Sequence, residues 1–144
     1  MPYKFLSNIA IADLAFEATG KSLGELFTTA ARAVSESMVN SKTVAKKVKR
    51  TLKLENKEID KLLFELLEEI VFLKDSEQLV FKTTKAKVNQ NKKTNSYELQ
   101  ATLEGEKINP ERHELHNDIK AITYHMFYVK KTLKGWKARV VVDV

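Results

Sequence analysis

Apolar residues recur every three or four positions in two stretches of the chain and near every second position in several others. This change of period divides the chain into elements. Leu23, Leu26, Phe27, Ala30, Ala31, Val34 and Met38 line one side of a 3.6-residue repeat. Ser22 and Glu25 stand at capping-box spacing just before it, so a helix is predicted from there to about Asn40. A second apolar stripe, Ile59, Leu62, Leu63, Leu66, Leu67, Ile70 and Leu73, carries Lys61, Glu65, Glu68 and Glu69 on its other side. Asn56 is a candidate N-cap for that helix.

Between the helices the period falls to about two. Val44, Val48, Leu52 and Leu54 share one face and Lys47, Lys49, Lys53 and Glu55 the other, which predicts a strand over 44–55. Residues 79–88 and 97–104 read as a hairpin around the polar segment 89–95. Residues 105–118 are charged and are expected to be irregular. A last pair of strands, 119–130 and 136–144, is joined by a turn at Lys134-Gly135. The first element, 9–16, reads as a buried strand with one acid, Asp13. The order of strand, helix, strand, helix and then a run of strands predicts an α+β sandwich. In it two helices pack on one face of an antiparallel or mixed sheet, as a single domain over 1–144.

Composition narrows the function classes. At 144 residues and 43% hydrophobic, with four Gly and two Pro, the chain has enough apolar side chains for one core. Its densest apolar run, 62–73, is broken by three glutamates, so no membrane span is expected. The apolar residues 1–11 lack a basic leader and a cleavage site. A cytoplasmic protein is the resulting expectation. With no cysteine there is no thiolate site or cysteine nucleophile, and any metal must be held by oxygen or imidazole.

The formal charge of +6, mostly from lysine, is compatible with RNA or an acidic partner. No strand alternates aromatic and basic residues as an RNA-recognition strand does, which argues against direct RNA readout. The densest basic run, 42–53, reads as a solvated strand face.

A few residues break the pattern. Asp13 stands among Ile9, Ala10, Ile11, Ala12, Leu14, Ala15 and Phe16, where an unpaired carboxylate is costly to bury. It either caps a strand end in water or has a cationic partner. If Trp136, Ala138, Val140 and Val142 face the core, Asp143 shares the opposite face with Lys137, Arg139 and Val141. The plain reading of Asp143 is an exposed end charge. Together with Asp13 and the Val144 carboxylate, however, it would make an all-oxygen set suited to a hard cation such as calcium. Such clustered carboxylates need a cation between them.

Lys120, at the start of Lys120-Ala121-Ile122-Thr123-Tyr124-His125, reads as a snorkelling surface lysine, and His125 as a hydrogen-bonded structural residue. His113 and His116 have zinc-like spacing, but no third ligand is indicated and a solvated loop explains them equally. There is no phosphate-binding glycine loop, nucleophile elbow or HExxH helix. A hydrolase built on Asp13, Asp143 and Lys120 would lack an identifiable nucleophile.

In order, several segments resemble the archease family across nearly the whole chain. They are Ala12-Asp13-Leu14-Ala15-Phe16-Glu17-Ala18 with Gly20, Ser22-Leu23-Gly24-Glu25-Leu26-Phe27, and the helix from Leu62 to Glu69. Then follow Gly105-Glu106 and His113, the Lys120 to His125 block, Gly135-Trp136 and the Val142-Asp143-Val144 end. The Lys120 block and the Asp143-Val144 end are the most specific.

The resemblance implies a small α+β protein, not itself an enzyme, that activates the GTP- and metal-dependent ligase joining tRNA halves. It would promote guanylylation and repeated turnover of that ligase, and would have a wider chaperone-like role toward RNA-processing enzymes. It also implies a divalent ion, calcium, at Asp13, Asp143 and Val144, with Lys120 on the same functional surface and His125 beside it in the matching block. One departure is Ala10, where the family often has histidine, which leaves the carboxylate set intact. The alternatives are a metal-dependent hydrolase using the same carboxylates and a basic RNA-binding module that takes tRNA directly.

Overall fold

A computed structural model describes residues 2–6 and 13–144. Helix α1 (Leu23–Met38) starts where the capping signal places it: Ser22 is the N-cap and its hydroxyl accepts from the Glu25 amide at 3.2 Å. Ala30, Ala31 and Ala33 are fully buried beside Leu26, Phe27 and Val34, so its buried arc is wider than one stripe. The small side chains let α1 lie close to strands of both sheets, β2 (Asp13–Gly20) and β4 (Leu79–Asn91). Helix α2 (Ile59–Glu77) packs beside it, with Leu62, Leu63, Leu66, Leu67 and Ile70 fully buried.

Asn56 does not cap α2. The N-cap is Glu58, without a side-chain bond. Asn56 instead closes the preceding turn, its Oδ1 accepting from the Glu58 amide at 2.9 Å while Nδ2 donates to Glu65 at 2.8 Å.

The strands fall into two antiparallel sheets rather than one. The first has the order β1-β2-β7-β6, with β1 (Tyr3–Leu6), β6 (Ala121–Thr132) and β7 (Gly135–Asp143). The second has the order β3-β5-β4, with β3 (Val48–Asn56) and β5 (Ser96–Lys107). Phe16, Ala18, Ala138, Val140 and Val142 of the first sheet join Phe81, Leu99, Ala101 and Leu103 of the second in one core with both helices.

Several boundaries move. β3 begins at Val48 because residues Ser41–Thr43 form a 3-10 turn, and Val44 joins a small separate cluster with Val39 and Val80. The basic run 42–53 is thus part turn and part strand, with Lys49 and Lys53 exposed. The β4–β5 hairpin absorbs residues 89–91 of the polar segment, and 105–107 continue β5. Residues 9–12 of the first expected strand lie outside the described residues. Among the described residues, no helix is long and apolar enough to cross a membrane.

Candidate functional site

The outward face of the first sheet carries Asp13 and Asp143. Register alone assembles it: Asp13 is the direct partner of Asp143, and Ala121 the partner of Asp143 on its other side. In an antiparallel pair directly opposed residues point to the same face. The two carboxylates therefore stand side by side although 130 positions separate them (143 − 13). Both residues are half-buried, as is Val144. Like charges directly opposed destabilise a sheet unless a counter-ion offsets them.

Lys120 is joined to this row through its backbone, its amide donating to the Asp143 carbonyl at 2.8 Å. It precedes β6 by one residue and its side chain is exposed; Ala121, not Lys120, stands opposite Asp143. Among the described residues no three His, Cys, Asp or Glu side chains are grouped to hold a metal. The all-oxygen set thus reduces to two facing carboxylates and whatever Val144 adds. Those donors fit a hard cation that takes its remaining oxygens from elsewhere.

His125 lies in a bulge. Thr123 pairs with Val141 and Tyr128 with Arg139, so five steps along β6 stand against two along β7. Met126 takes the left-handed conformation (φ 55) to close the excursion. The bulge lays Tyr124 flat on Phe64 of α2, centroids 3.8 Å apart and planes 4° from parallel, with Phe127 edge-on to both. His125 and Met126 are left exposed.

Two rows below the carboxylates, past Ala15 and Val141, the same face turns basic. Lys4, Glu17, Arg139 and Tyr128 form one continuous row across β1, β2, β7 and β6, and Thr19, Lys137 and Lys130 the next across β2, β7 and β6. Glu17 is 7% exposed. It accepts from the Tyr128 hydroxyl at 3.2 Å and pairs with Lys137 at 3.1 Å, Arg139 at 3.5 Å and Lys4 at 3.6 Å. Burial pushes its carboxyl up, but the bonds from Lys137 and Tyr128 outweigh that and hold it below the ordinary range. Lys130 and Arg139 also lie over the Tyr128 ring, at 4.7 and 5.3 Å. Pattern reading missed this band because no single strand alternates aromatic and basic residues; four strands contribute to it.

Residues 108–118 are irregular as expected, but not a plain solvated loop. Glu106 is 3% and His113 5% exposed. The Asn109 amide donates to His113 Nδ1, so Nε2 donates to Glu106 at 2.9 Å. Arg112 forks onto the same carboxylate, and the Ala45 amide donates to it at 2.6 Å. His116 turns elsewhere, bonding the Glu36 carbonyl and Glu114. The two histidines do not converge on one point, so the zinc pair is not formed.

The sequence model of the Archease protein family matches residues 3–144. The chain belongs to the archease family. "Protein archease" of Pyrococcus abyssi is 37% identical to it over 134 residues, covering 92% of this chain and 93% of that one. The solution structure of Methanobacterium thermoautotrophicum protein 1598 superposes with a TM-score of 0.82 at 31% identity, over 99% of each chain. The crystal structure of a Thermotoga maritima archease, described as a possible chaperone, shares the fold with a TM-score of 0.63 at 20% identity over 94% and 93% of the two chains. The two helices and the antiparallel sheets are thus the fold that this chain shares with those structures.

Proposed function

We propose that the chain is a protein activator of the GTP-dependent ligase that joins tRNA halves, acting in the cytoplasm and without turnover of its own. In this reading Asp13 and Asp143, with Val144, hold a divalent cation, calcium, on the outer face of the first sheet. The observation that carries the reading is the register pairing of Asp13 with Asp143, which gathers hard oxygen donors from distant segments on one surface. The partner class is the one that the resemblance to the archease family implies.

When bound, the cation would supply positive charge that neutralises the facing carboxylates and polarises phosphate oxygens. The residues of the chain orient it. The β2–β7 ladder fixes the two aspartates relative to each other, and the Lys120 amide bond to Asp143 ties the start of β6 to the same row. Among the described residues the chain supplies few of the six to eight oxygens that calcium takes, so a cation held there would draw further oxygens from elsewhere. The ligase and its nucleotide would be the source of those oxygens. Its contribution to guanylylation is then positioning and charge compensation, effects that need no nucleophile from this chain.

Reconstitution with the partner ligase tests the reading. Asp13→Ala and Asp143→Ala variants that retain the parent far-UV circular dichroism and melting behaviour should fail to raise ligase guanylylation and multiple turnover. Full activation by both variants overturns it. Turnover of a nucleotide or phosphoester by the isolated chain would replace it with a hydrolase.

A further inference from the structure

Two rows below the aspartate pair, the first sheet's outer face holds four cations, Lys4, Lys130, Lys137 and Arg139, against one carboxylate, Glu17. Lys4, Arg139 and Lys137 converge on Glu17, leaving a surplus of positive charge that Lys130 increases. Lys130 and Lys137 are direct cross-strand partners, an arrangement that opposes like charges and costs stability unless an anion lies over them. Among the described residues no carboxylate pairs with Lys130, which rests on the Tyr128 ring, and the Arg139 Nε is buried without a partner. Neutralising Glu17 explains Lys4, Lys137 and Arg139; it does not explain Lys130.

The band has a definite shape. Strands lie about 4.8 Å apart, so its cations, from β1 to β6, span roughly 14 Å across the sheet. Its two rows are about 6.6 Å apart along the strands, and the Asp13–Asp143 row lies about 13 Å from the nearer one. It is therefore a short track for an extended polyanion, with hard oxygen donors at one side of the track.

We infer that the band formed by Lys4, Lys130, Lys137 and Arg139 binds the phosphodiester backbone of single-stranded RNA. Phosphate is favoured over the carboxylates of an acidic protein because a hard cation held by only two carboxylates needs further oxygen donors, which substrate phosphates supply in magnesium sites of that kind. In that respect the inference rests on the cation site of the proposed function. The Tyr128 ring is occupied by Lys130 and Arg139, so recognition runs through phosphates and is indifferent to base sequence.

The probe is a fluorescein-labelled 20-nucleotide single-stranded RNA, titrated with the isolated chain and followed by fluorescence anisotropy over a range of salt concentrations. The band variant is Lys130→Ala with Lys137→Ala. The control is Lys85→Ala with Lys87→Ala, which removes the same charge from exposed positions on β4 of the other sheet. The parent should bind with an affinity that falls linearly in log–log salt plots. The band variant should lose about 1.4 from that slope, ~0.7 for each phosphate contact, and weaken roughly tenfold at low salt.

The control should stay within about twofold of the parent, since it keeps every contact in the band. Lys130→Arg with Lys137→Arg should restore binding while the other variants melt like the parent. Equal losses in band and control variants, or no salt-dependent binding by the parent, overturn the inference. A band variant that binds RNA normally but no longer associates with the ligase makes the surface a protein contact instead. No ligase is present in the RNA titration, so its failure leaves the activator reading standing. Failure of the Asp13 and Asp143 variants to matter would likewise leave the RNA result intact.

Discussion

Glu106 accepts a hydrogen bond from His113 Nε2 across 2.9 Å, with the His113 side chain wholly and the Glu106 side chain almost wholly withdrawn from water. Around that bond Arg112 and the Ala45 amide complete a network that ties the end of β5 to the turn before β3 and to the loop after β5. Removing the charge should unpick all three connections. Glu106→Gln is expected to lower stability in urea by at least about 2 kcal/mol, since it leaves buried donors poorly matched.

The same carboxylate gives a pH signature. The Arg112 fork, opposed by burial but helped by His113 and the Ala45 amide, holds Glu106 far below its ordinary value of 4.5. With the folded value depressed, its contribution is fully present above the ordinary carboxylate range. It declines as pH falls below 4.5, where the unfolded chain takes up a proton that the folded chain does not, and is gone below the folded value. Urea melts between pH 6 and 3 should show the parent losing stability more steeply than Glu106→Gln. Parallel profiles would separate the acid lability from this residue.

Neutralising one member of the Asp13–Asp143 pair should have opposite effects with and without a cation. In chelator-treated buffer Asp13→Asn should gain a few tenths to about 1 kcal/mol, by relief of like charges directly opposed. Added calcium should raise the melting temperature of the parent and leave that of Asp13→Asn, Asp143→Asn or the double variant nearly unchanged. Differential scanning calorimetry reads both effects, and a parent indifferent to calcium and magnesium alike would remove the cation site.

Gly105 allows β5 to approach β4 at the irregular register beside Phe81: a Cβ there would stand 1.9 Å from the Val80 carbonyl oxygen. Gly105→Ala must displace backbone, at a cost of about 1–3 kcal/mol or more. The midpoint of chemical unfolding should fall accordingly.

Tyr124 is 60% exposed yet lies flat on Phe64. Tyr124→Ala should cost roughly 0.5–1.5 kcal/mol for the lost aromatic contact, whereas Tyr124→Phe, which keeps the stacked ring, should be nearly neutral. Thermal unfolding of the two variants separates ring from hydroxyl.

Much of this was legible from periodicity. The stripes of α1 and α2 and the alternation of Tyr97, Leu99, Ala101 and Leu103 match their buried faces, because short-range repeats determine which side of an element is apolar. The division into two sheets was not legible, since strand pairing depends on contacts between distant segments. Asp143 was correctly placed on the face of Lys137 and Arg139, but only the β2–β7 register brings Asp13 opposite it. Nothing in the pattern around Glu17 or Glu106 distinguishes either from an ordinary surface acid. Each owes its burial to cations or donors from elsewhere in the fold, and no local pattern records that. Asn56 does not cap α2 because its side chain closes the preceding turn, two residues before the N-cap Glu58.

The placement of β7 governs how the molecule can be made. It is the last strand along the chain, yet it lies between β2 and β6, neither of which pairs with the other. During synthesis, among the described strands β2 has only the short β1 as a sheet partner until residues 135–143 are made, and neither the aspartate pair nor the basic band can form before then. A nascent chain arrested before β7 holds its second sheet's strands and both helices but no completed first sheet, and a protease should cut it readily until β7 is made.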